Sequence, residues 1–374
     1  MNFKSRIFLI VTGTALFLIL SGIGLFLSIN KPLWTDEIHT ADIALVECSY
    51  GQIIKGVVSG EANNFPLYYL IQKAVMDITG YEFIQDWRGE HFLFDPAGQI
   101  ILRLPSILFI SLTLTLVLFI FIISKQPLTG VAGFLLTLSS YMTWAYWAEA
   151  RPYALWYCLT LLHAALLWKS FSEKKLKIAP LTIIHWLLAL TSILSLAQIL
   201  TAAATAAILK KADWKKIPVL ISPIPVILFY HFKGFSPRPI LTGNALELLL
   251  IAVPPEWLLI LLINLAFILR KPASRPDQTF YLLLAGMFFT AAAIIFMSFS
   301  NDISRQGALL HYRHFIFLTP YVIISLGSIF NNWWKNRSNG LLSSSNIILF
   351  LLTLTTINGT RTLLLLYEHI IFIF

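Results

Sequence analysis

The chain has 374 residues, of which 57% are hydrophobic and 12% are charged, and its mean hydropathy is +0.77. A globular domain of this size could not bury so much apolar surface, so the composition excludes a water-soluble protein. The net charge of +9 does not indicate nucleic-acid binding, because lysine and arginine also accumulate in the cytoplasmic segments of membrane proteins. We therefore predict an integral membrane protein.

Apolar runs long enough to cross a bilayer as helices recur along the chain, which favours an all-α multi-pass bundle over a β-barrel. The first run follows Lys4 and Arg6 and is predicted to be a retained anchor, because it is long and has no small-residue cleavage site. The predicted spans are 7–29, 101–124, 128–147, 153–170, 178–194, 196–209, 217–231, 255–270, 279–298, 313–330 and 343–360. We expect these 11 helices to form a single domain over residues 1–374 with no separate soluble carboxy-terminal domain.

The distribution of basic residues predicts a cytoplasmic amino terminus in a plasma (inner) membrane. With that orientation, most clusters of lysine and arginine face the cytoplasm, and residues 30–100 form a long extracytoplasmic first loop. Two amphipathic stretches of this loop, residues 35–46 and 66–80, are predicted to lie at the membrane interface and hold it down.

Two adjacent carboxylates, Asp36 and Glu37, come shortly after the first span. One interpretation is structural, because acidic residues are favourable in the first turn of a helix, and Thr35 could cap such a helix. The other interpretation is catalytic. His39 would share a helical face with Asp36.

A third acid, Glu149, precedes Arg151 and Tyr153 at the extracytoplasmic junction of the third and fourth predicted spans. This junction could be structural, since Pro152 suits the first turn of a helix and Arg151 could extend to lipid headgroups.

Further cations are predicted on the same face, and each alone could be an interface anchor. They are Arg103, Arg305, His311, Arg313 and His314. Arginine suits bidentate recognition of phosphate. Carboxylates and arginines from separate loops at one membrane depth therefore predict chemistry on a lipid phosphate.

Five motifs carry a resemblance to a known family. In chain order they are WTDE (34–37), NNFPLYYLI (63–71), RLPSILF (103–109), EARPYALWY (149–157) and YRHFIFLTP (312–320). Over roughly residues 30–330 the chain resembles the polyprenyl-phosphate-sugar-dependent glycosyltransferases of the GT-C fold. It is most similar to the bacterial relatives of protein O-mannosyltransferases and to the lipid A aminoarabinose transferases.

The resemblance implies an inverting transfer of a sugar from a polyprenyl phosphate to a lipid, glycan or protein acceptor on the extracytoplasmic face. It implies that Asp36 serves the acceptor with Glu37 beside it, and that Glu149, Arg151 and Arg313 complete the site. By the same mapping Arg103 is more structural than catalytic. Relatives usually have a histidine or lysine just before the proline of the second motif, where this chain has Asn64 and Phe65.

No metal ligand set is predicted, and a requirement for a divalent metal is left open. Cys48 and Cys158 lie at different predicted depths, so no disulfide is expected. His163, His185 and His231 stand among apolar neighbours and are expected to bind backbone carbonyls rather than metal. Two other classes remain as alternatives: a transporter or flippase for lipid-linked saccharides, and a polysaccharide polymerase or ligase.

Overall fold

All the regular secondary structure in the computed structural model is helical within the residues that it describes. Those residues are 3–31, 33, 37–38, 40–46, 48–56, 65–81, 96–173, 176–208, 214–234, 245–270, 315–335 and 343–371. No β-strand occurs in these ranges. The α-helices are α1 (Phe3–Asn30), α2 (Tyr50–Ile54), α3 (Pro66–Thr79), α4 (Pro96–Ile123), α5 (Pro127–Ser139), α6 (Tyr141–Trp147), α7 (Tyr153–Ser172), α8 (Ile178–Ala189), α9 (Ser195–Ile208), α10 (Ile217–Ile221), α11 (Ile224–Gly234), α12 (Ala245–Ala252), α13 (Pro255–Arg270), α14 (Thr319–Lys335) and α15 (Ser344–Ile371).

The described helices make this a helical membrane protein. Four helical segments are long and apolar enough to cross a bilayer: Lys4–Asn30, Pro96–Ile123, Trp214–Lys233, which includes α10 and most of α11, and Ser344–Tyr367. Four shorter apolar helices accompany them: Pro127–Ser139, Ile178–Ala189, Ser195–Ala207 and Pro255–Asn264. The described residues thus supply fewer full-length candidate spans than the 11 that were predicted, and the predicted span 279–298 lies outside them.

Two predicted spans are each divided into two helices. In the span predicted at 128–147, Ser140 has an extended backbone (ψ 132°) and separates α5 from α6. In the span predicted at 217–231, a turn separates α10 from α11. Pro223 and Pro225 have no N–H group and cannot make the helical hydrogen bonds to the carbonyls four residues earlier. The expectation of one continuous helix in each of these two segments is corrected accordingly.

Side chains satisfy the backbone where α5 ends. The last three carbonyls of α5 all accept hydrogen bonds from side chains. Thr143 Oγ1 donates to Thr137 O (2.6 Å), and Trp144 Nε1 donates to Leu138 O (2.6 Å). Asn358 Nδ2 and Thr362 Oγ1 both donate to Ser139 O (2.9 and 2.7 Å). A break inside an apolar bundle is tolerated only when the freed backbone groups find such partners. Helix α15 therefore helps to stabilise the break between α5 and α6.

Helix α4 lies at the centre of the packing, with α1, α5, α7 and α3 against it. Helix α14 packs closely on α5, and Gly327 permits this approach, because a Cβ atom there would lie 2.8 Å from the Thr129 carbonyl oxygen. Helix α3, predicted to lie at the membrane interface, buries Tyr68, Tyr69 and Gln72 and ends at Gly80, whose φ is +63°. The predicted amphipathic stretch 35–46 contains a short π-helix, Thr40–Val46.

Candidate functional site

The candidate site forms where the end of α1, the first turns of α4, and the connection between α6 and α7 meet. Arg103, on α4, is fully buried. Its Nη1 atom donates hydrogen bonds to the carbonyls of Ser28 (2.8 Å) and Lys31 (2.6 Å) at the end of α1. These two contacts fix the carboxyl end of α1 against the start of α4.

Glu37 forms a bidentate ion pair with Arg103. Arg103 Nε donates to Glu37 Oε1 (2.8 Å), and Nη2 donates to Oε2 (2.6 Å). The Glu37 side chain is also fully buried, and its Oε1 atom accepts a third hydrogen bond from the backbone N–H of Ala150 (2.7 Å). Charge-assisted, two-pronged contacts of this kind are the strongest hydrogen bonds between side chains. Glu37 therefore connects the segment after α1 to the residue between Glu149 and Arg151.

The backbone of residues 149–151 is held from several sides. The Arg151 N–H donates to the Glu149 carbonyl (2.8 Å) in a tight turn. Gln72 Nε2, from α3, donates to the Leu102 carbonyl at 2.9 Å and approaches the Ala150 carbonyl at 3.5 Å. Gln72 of α3 and Ser106 of α4, whose hydroxyl donates to the Arg151 carbonyl at 3.4 Å, thus support the turn that carries the second acid and the arginine.

Glu149 and Arg151 are both nearly buried, at 6% and 7% exposure. Lys31 Nζ lies 3.8 Å from Glu149 Oε2 and donates to the Ala145 carbonyl at 3.3 Å. Arg151 Nη1 donates to Thr40 Oγ1 at 3.4 Å. The Glu149 carboxylate and the Arg151 and Lys31 cations therefore accompany the Glu37–Arg103 pair. The Lys31 side chain is about one-third exposed (35%).

Tyr68, on α3, lies within the field of these charges. Its hydroxyl shares a 2.6 Å hydrogen bond with Ser106 Oγ. Burial is the largest influence on the Tyr68 phenol and raises its pKa, and the charges of Glu37 and Glu149 raise it further. The hydrogen bond to Ser106 and the charge of Arg151 lower the pKa, but it stays well above its ordinary value. Tyr68 is therefore a neutral hydroxyl beside the acids at physiological pH.

The structure brings together three of the predicted site residues, Glu37, Glu149 and Arg151. It also places Tyr153 nearby at the start of α7, half-buried, with its ring 4.8 Å from that of Tyr146. The other predicted site residues lie outside the described residues: Asp36, His39, Arg305, Arg313 and His314.

Sequence reasoning gave no site role to Lys31, Thr40, Tyr68 or Gln72. Lys31 had a usable signal, since it is a cation directly after the first span on the predicted acid-bearing face. Tyr68 and Gln72 are in or next to the motif NNFPLYYLI, but their contacts with residues 102–151 depend on tertiary packing.

A separate polar chain crosses the bundle interior. His185 Nδ1 lies 2.8 Å from the Leu220 carbonyl, His163 Nε2 lies 2.9 Å from His185 Nε2, and His163 Nδ1 contacts the Tyr321 hydroxyl. The carbonyl can only accept, so neutral rings require that His163 Nε2–H donates to His185 and that Tyr321 O–H donates to His163. The expected backbone partner is confirmed for His185, whereas His163 binds side chains. Within the described ranges no cluster of three or more histidine, cysteine or acidic residues could hold a metal ion.

No family model, curated protein or solved structure matches the chain. Function must therefore be inferred from the site residues themselves.

Proposed function

We propose that this protein is a membrane glycosyltransferase that moves a sugar from a polyprenyl-phosphate donor to an acceptor hydroxyl. The observation that carries the proposal is the contact of Glu37 with both Arg103 and the Ala150 N–H. This contact joins the segment that contains Asp36 to the segment that contains Glu149 and Arg151, so acids and an arginine from two distant parts of the chain belong to one site.

The proposed reaction is a single displacement. Asp36, directly before Glu37 in the chain, accepts the proton of the acceptor hydroxyl as its oxygen bonds to the anomeric carbon. A hydroxyl has a pKa far above 7, so its proton is transferred only as that bond forms. The bond between the anomeric carbon and the phosphate oxygen breaks, and the polyprenyl phosphate leaves with the bonding electron pair. Attack opposite the leaving group inverts the anomeric configuration.

Arg151 and Lys31 would stabilise the negative charge on the departing phosphate, as cations do in phosphoryl sites. Glu149, close to Lys31, would orient that cation and act as the second acid of the site. Glu37 has a different place in this scheme. Both its oxygens are engaged by buried donors, so we assign it to positioning rather than to proton transfer, and Arg103 with it.

The proposal includes an extracytoplasmic site, a GT-C-like bundle of 11 spans with a long first loop, and Arg313, Arg305, His314 and His39 as further substrate contacts. Its support is the distribution of lysine and arginine along the chain and the five motifs in the order that the family shows. The described helices are compatible with a multi-pass bundle.

The decisive experiment uses proteoliposomes with a panel of radiolabelled polyprenyl-phosphate sugars and a membrane extract as the acceptor source. We expect the wild type to release sugar from one donor, and we expect Asp36→Asn and Glu149→Gln each to lose at least 100-fold, roughly the contribution of a positioned acid or base. Glu247→Gln is the matched control, because Glu247 is an exposed acid in the first turn of α12. Full activity of Asp36→Asn would refute the assigned roles. Donor left intact by the folded wild type would favour a flippase instead.

A further inference from the structure

An open apolar groove lies between α1 and α4, apart from the Glu37 contacts, with a volume of about 360 Å³. Ligand pockets usually measure about 300–1,000 Å³, so the groove is large enough for a ligand. One wall is lined by Leu9, Gly13 and Phe17 of α1, and the other by Leu112, Phe119 and Ile123 of α4. These spacings of four and seven residues place each set on one face of its helix. The groove is therefore formed by two facing helices.

The groove lies at the end of this helix pair that is far from the candidate site. Arg103 fixes the carboxyl end of α1 to the first turns of α4. At the groove the amino-terminal half of α1 faces the carboxyl half of α4, so the two helices are antiparallel. Helix α1 has 28 residues and is about 40 Å long, enough to cross a bilayer. Its amino-terminal end, next to the groove, thus lies at the membrane surface opposite Lys31.

Arg6 stands at this end of the groove. It precedes Gly13 by seven residues, which is two helical turns, so it lies on the groove face of α1. Its side chain is exposed, and the first turn of α1 contains no acidic residue. Helical side chains tilt toward the amino terminus, so Arg6 extends from the groove toward the membrane surface. Lys4 is also exposed but lies about 200° around the helix from Arg6, on the other side of α1.

Lys125 supplies a second cation where α4 ends. The Lys125 N–H donates to the Ile122 carbonyl at 3.0 Å. The Gln126 N–H donates to the Phe121 carbonyl at 2.8 Å, which completes the Schellman arrangement that ends many helices. Lys125 occupies the left-handed position of this turn with φ +59°, where glycine is favoured because it has no Cβ atom to strain.

The place of Lys125 is not explained by the helix dipole alone. A cation within the last helical turn would complement the dipole without the left-handed conformation, yet the last turn of α4 has no basic residue. The exposed Lys125 side chain thus keeps a positive charge at this turn at a conformational cost, as residues with a binding role often do.

We propose that the groove, Arg6 and Lys125 form a binding site for one anionic phospholipid. An acyl chain would lie between α1 and α4, and the phosphate would meet the two cations. Cations at one end of an apolar groove match a molecule with a negative head and a hydrocarbon tail. A zwitterionic phospholipid would bring a positive group to the same two cations, so it fits less well.

The occupant is a phospholipid and not the polyprenyl phosphate of the proposed donor. The phosphate of that donor is assigned to Arg151 and Lys31, and Lys31 follows the opposite end of α1. The lipid site is therefore separate from the transfer reaction and does not rest on the proposed function.

The test is native mass spectrometry of the full chain, titrated with phosphatidylglycerol or phosphatidylethanolamine that carry the same acyl chains. We expect one phosphatidylglycerol to bind the wild type at least about tenfold more tightly than phosphatidylethanolamine. Arg6→Gln and Lys125→Gly should each weaken phosphatidylglycerol binding about fivefold, the usual effect of one cation near an anionic membrane surface. Glycine adopts the left-handed conformation without strain, so Lys125→Gly preserves the fold. Lys4→Gln, the matched control on the other side of α1, should change binding less than about twofold.

Two leucine variants test the groove itself. Gly13→Leu should fill the groove and weaken the binding of both lipids, because a Cβ atom at Gly13 would meet the Phe119 ring at an ordinary contact distance of 3.7 Å. Gly22→Leu is the matched control on the same helix, since a Cβ atom there has nothing within 4 Å, and it should leave both affinities unchanged. Thermal unfolding establishes that each variant is folded.

Equal affinities of the wild type for the two lipids, or equal losses in Arg6→Gln and Lys4→Gln, would overturn the proposal. Either result would indicate a general attraction of lipids to a basic surface. Displacement of phosphatidylglycerol by an equal concentration of polyprenyl phosphate would assign the groove to the donor instead. Conversion of a dimer to a monomer by Gly13→Leu would assign it to a second copy of this chain. The measurement involves no sugar transfer, so an inactive transferase that binds phosphatidylglycerol as expected would refute the proposed reaction and leave the lipid site standing.

Discussion

Replacing Arg103 by methionine should cost about 3–5 kcal/mol of unfolding free energy, the usual result of removing one partner from a buried ion pair. The substitution removes the two guanidinium donors to the Glu37 carboxylate and the donor to the carbonyls of Ser28 and Lys31. Methionine fills most of the volume of the arginine stem, so the cost comes mainly from the uncompensated charge of Glu37 and not from a cavity. Glu37→Gln leaves the Arg103 charge uncompensated, but it should cost less, because Arg103 keeps its hydrogen bonds to the carbonyls of Ser28 and Lys31 and the amide oxygen can still accept the Ala150 N–H.

A double-mutant cycle separates the charge from the packing. Glu37→Leu with Arg103→Met removes both charges, so the double variant should be more stable than Arg103→Met alone, although the carbonyls of Ser28 and Lys31 then lack their donor. Unfolding free energies in mixed micelles, measured with increasing denaturing detergent, give the comparison.

The control is an exposed lysine–glutamate ion pair. Lys169 and Glu173 lie 3.9 Å apart with side chains 38% and 46% exposed, and such pairs contribute about 0–1 kcal/mol. Lys169→Met should therefore change stability by less than 1 kcal/mol. A loss of less than 1 kcal/mol for Arg103→Met, or a double variant no more stable than Arg103→Met, would refute the reasoning from burial.

Two further predictions concern helix packing. Gly327→Ala should lower the unfolding free energy by about 1–3 kcal/mol through overpacking, because the new Cβ would lie 2.8 Å from a backbone oxygen of α5. Gly359→Ala should raise the unfolding free energy by up to about 1 kcal/mol, because nothing lies within 4 Å of its new Cβ. Equal thermal shifts for the two would contradict the close α5–α14 approach. Thr362→Val should lose about 0.5–1.5 kcal/mol because it removes a donor from the α5–α6 break. Thr362→Ser keeps the hydroxyl and should retain the wild-type stability. Thr355→Val is the control, because the Thr355 hydroxyl donates to a carbonyl of its own helix. Equal losses of stability in both valine variants would argue against a role for Thr362 at the break.

The helical membrane class could be predicted from the local apolar runs, and the grouping of Glu37, Glu149 and Arg151 from the predicted topology and the five motifs. Long apolar runs must be helical in a bilayer, and charges next to such runs lie near its surfaces. By the family mapping Arg103 was predicted to be more structural than catalytic, and the structure buries it completely in an ion pair with Glu37.

The break between α5 and α6 could not be predicted in the same way. Residues 128–147 are mostly apolar and contain no proline after Pro127. The break depends on partners that are remote in sequence: Asn358 and Thr362 donate to the Ser139 carbonyl from more than 200 positions away. Single-sequence periodicity contains no information on such a contact, whereas the prolines that divide α10 from α11 were visible in the sequence.

The buried pair also changes how the charges of the site should be counted. Glu37 and Arg103 neutralise each other and are fully buried, so neither adds much to the field that a substrate would meet. The charged side chains left in the described part of the site are Glu149, Arg151 and Lys31, one acid against two cations. The bidentate pair thus serves to hold two segments together, and Arg151 and Lys31 are the described cations that would meet the phosphate of the proposed donor.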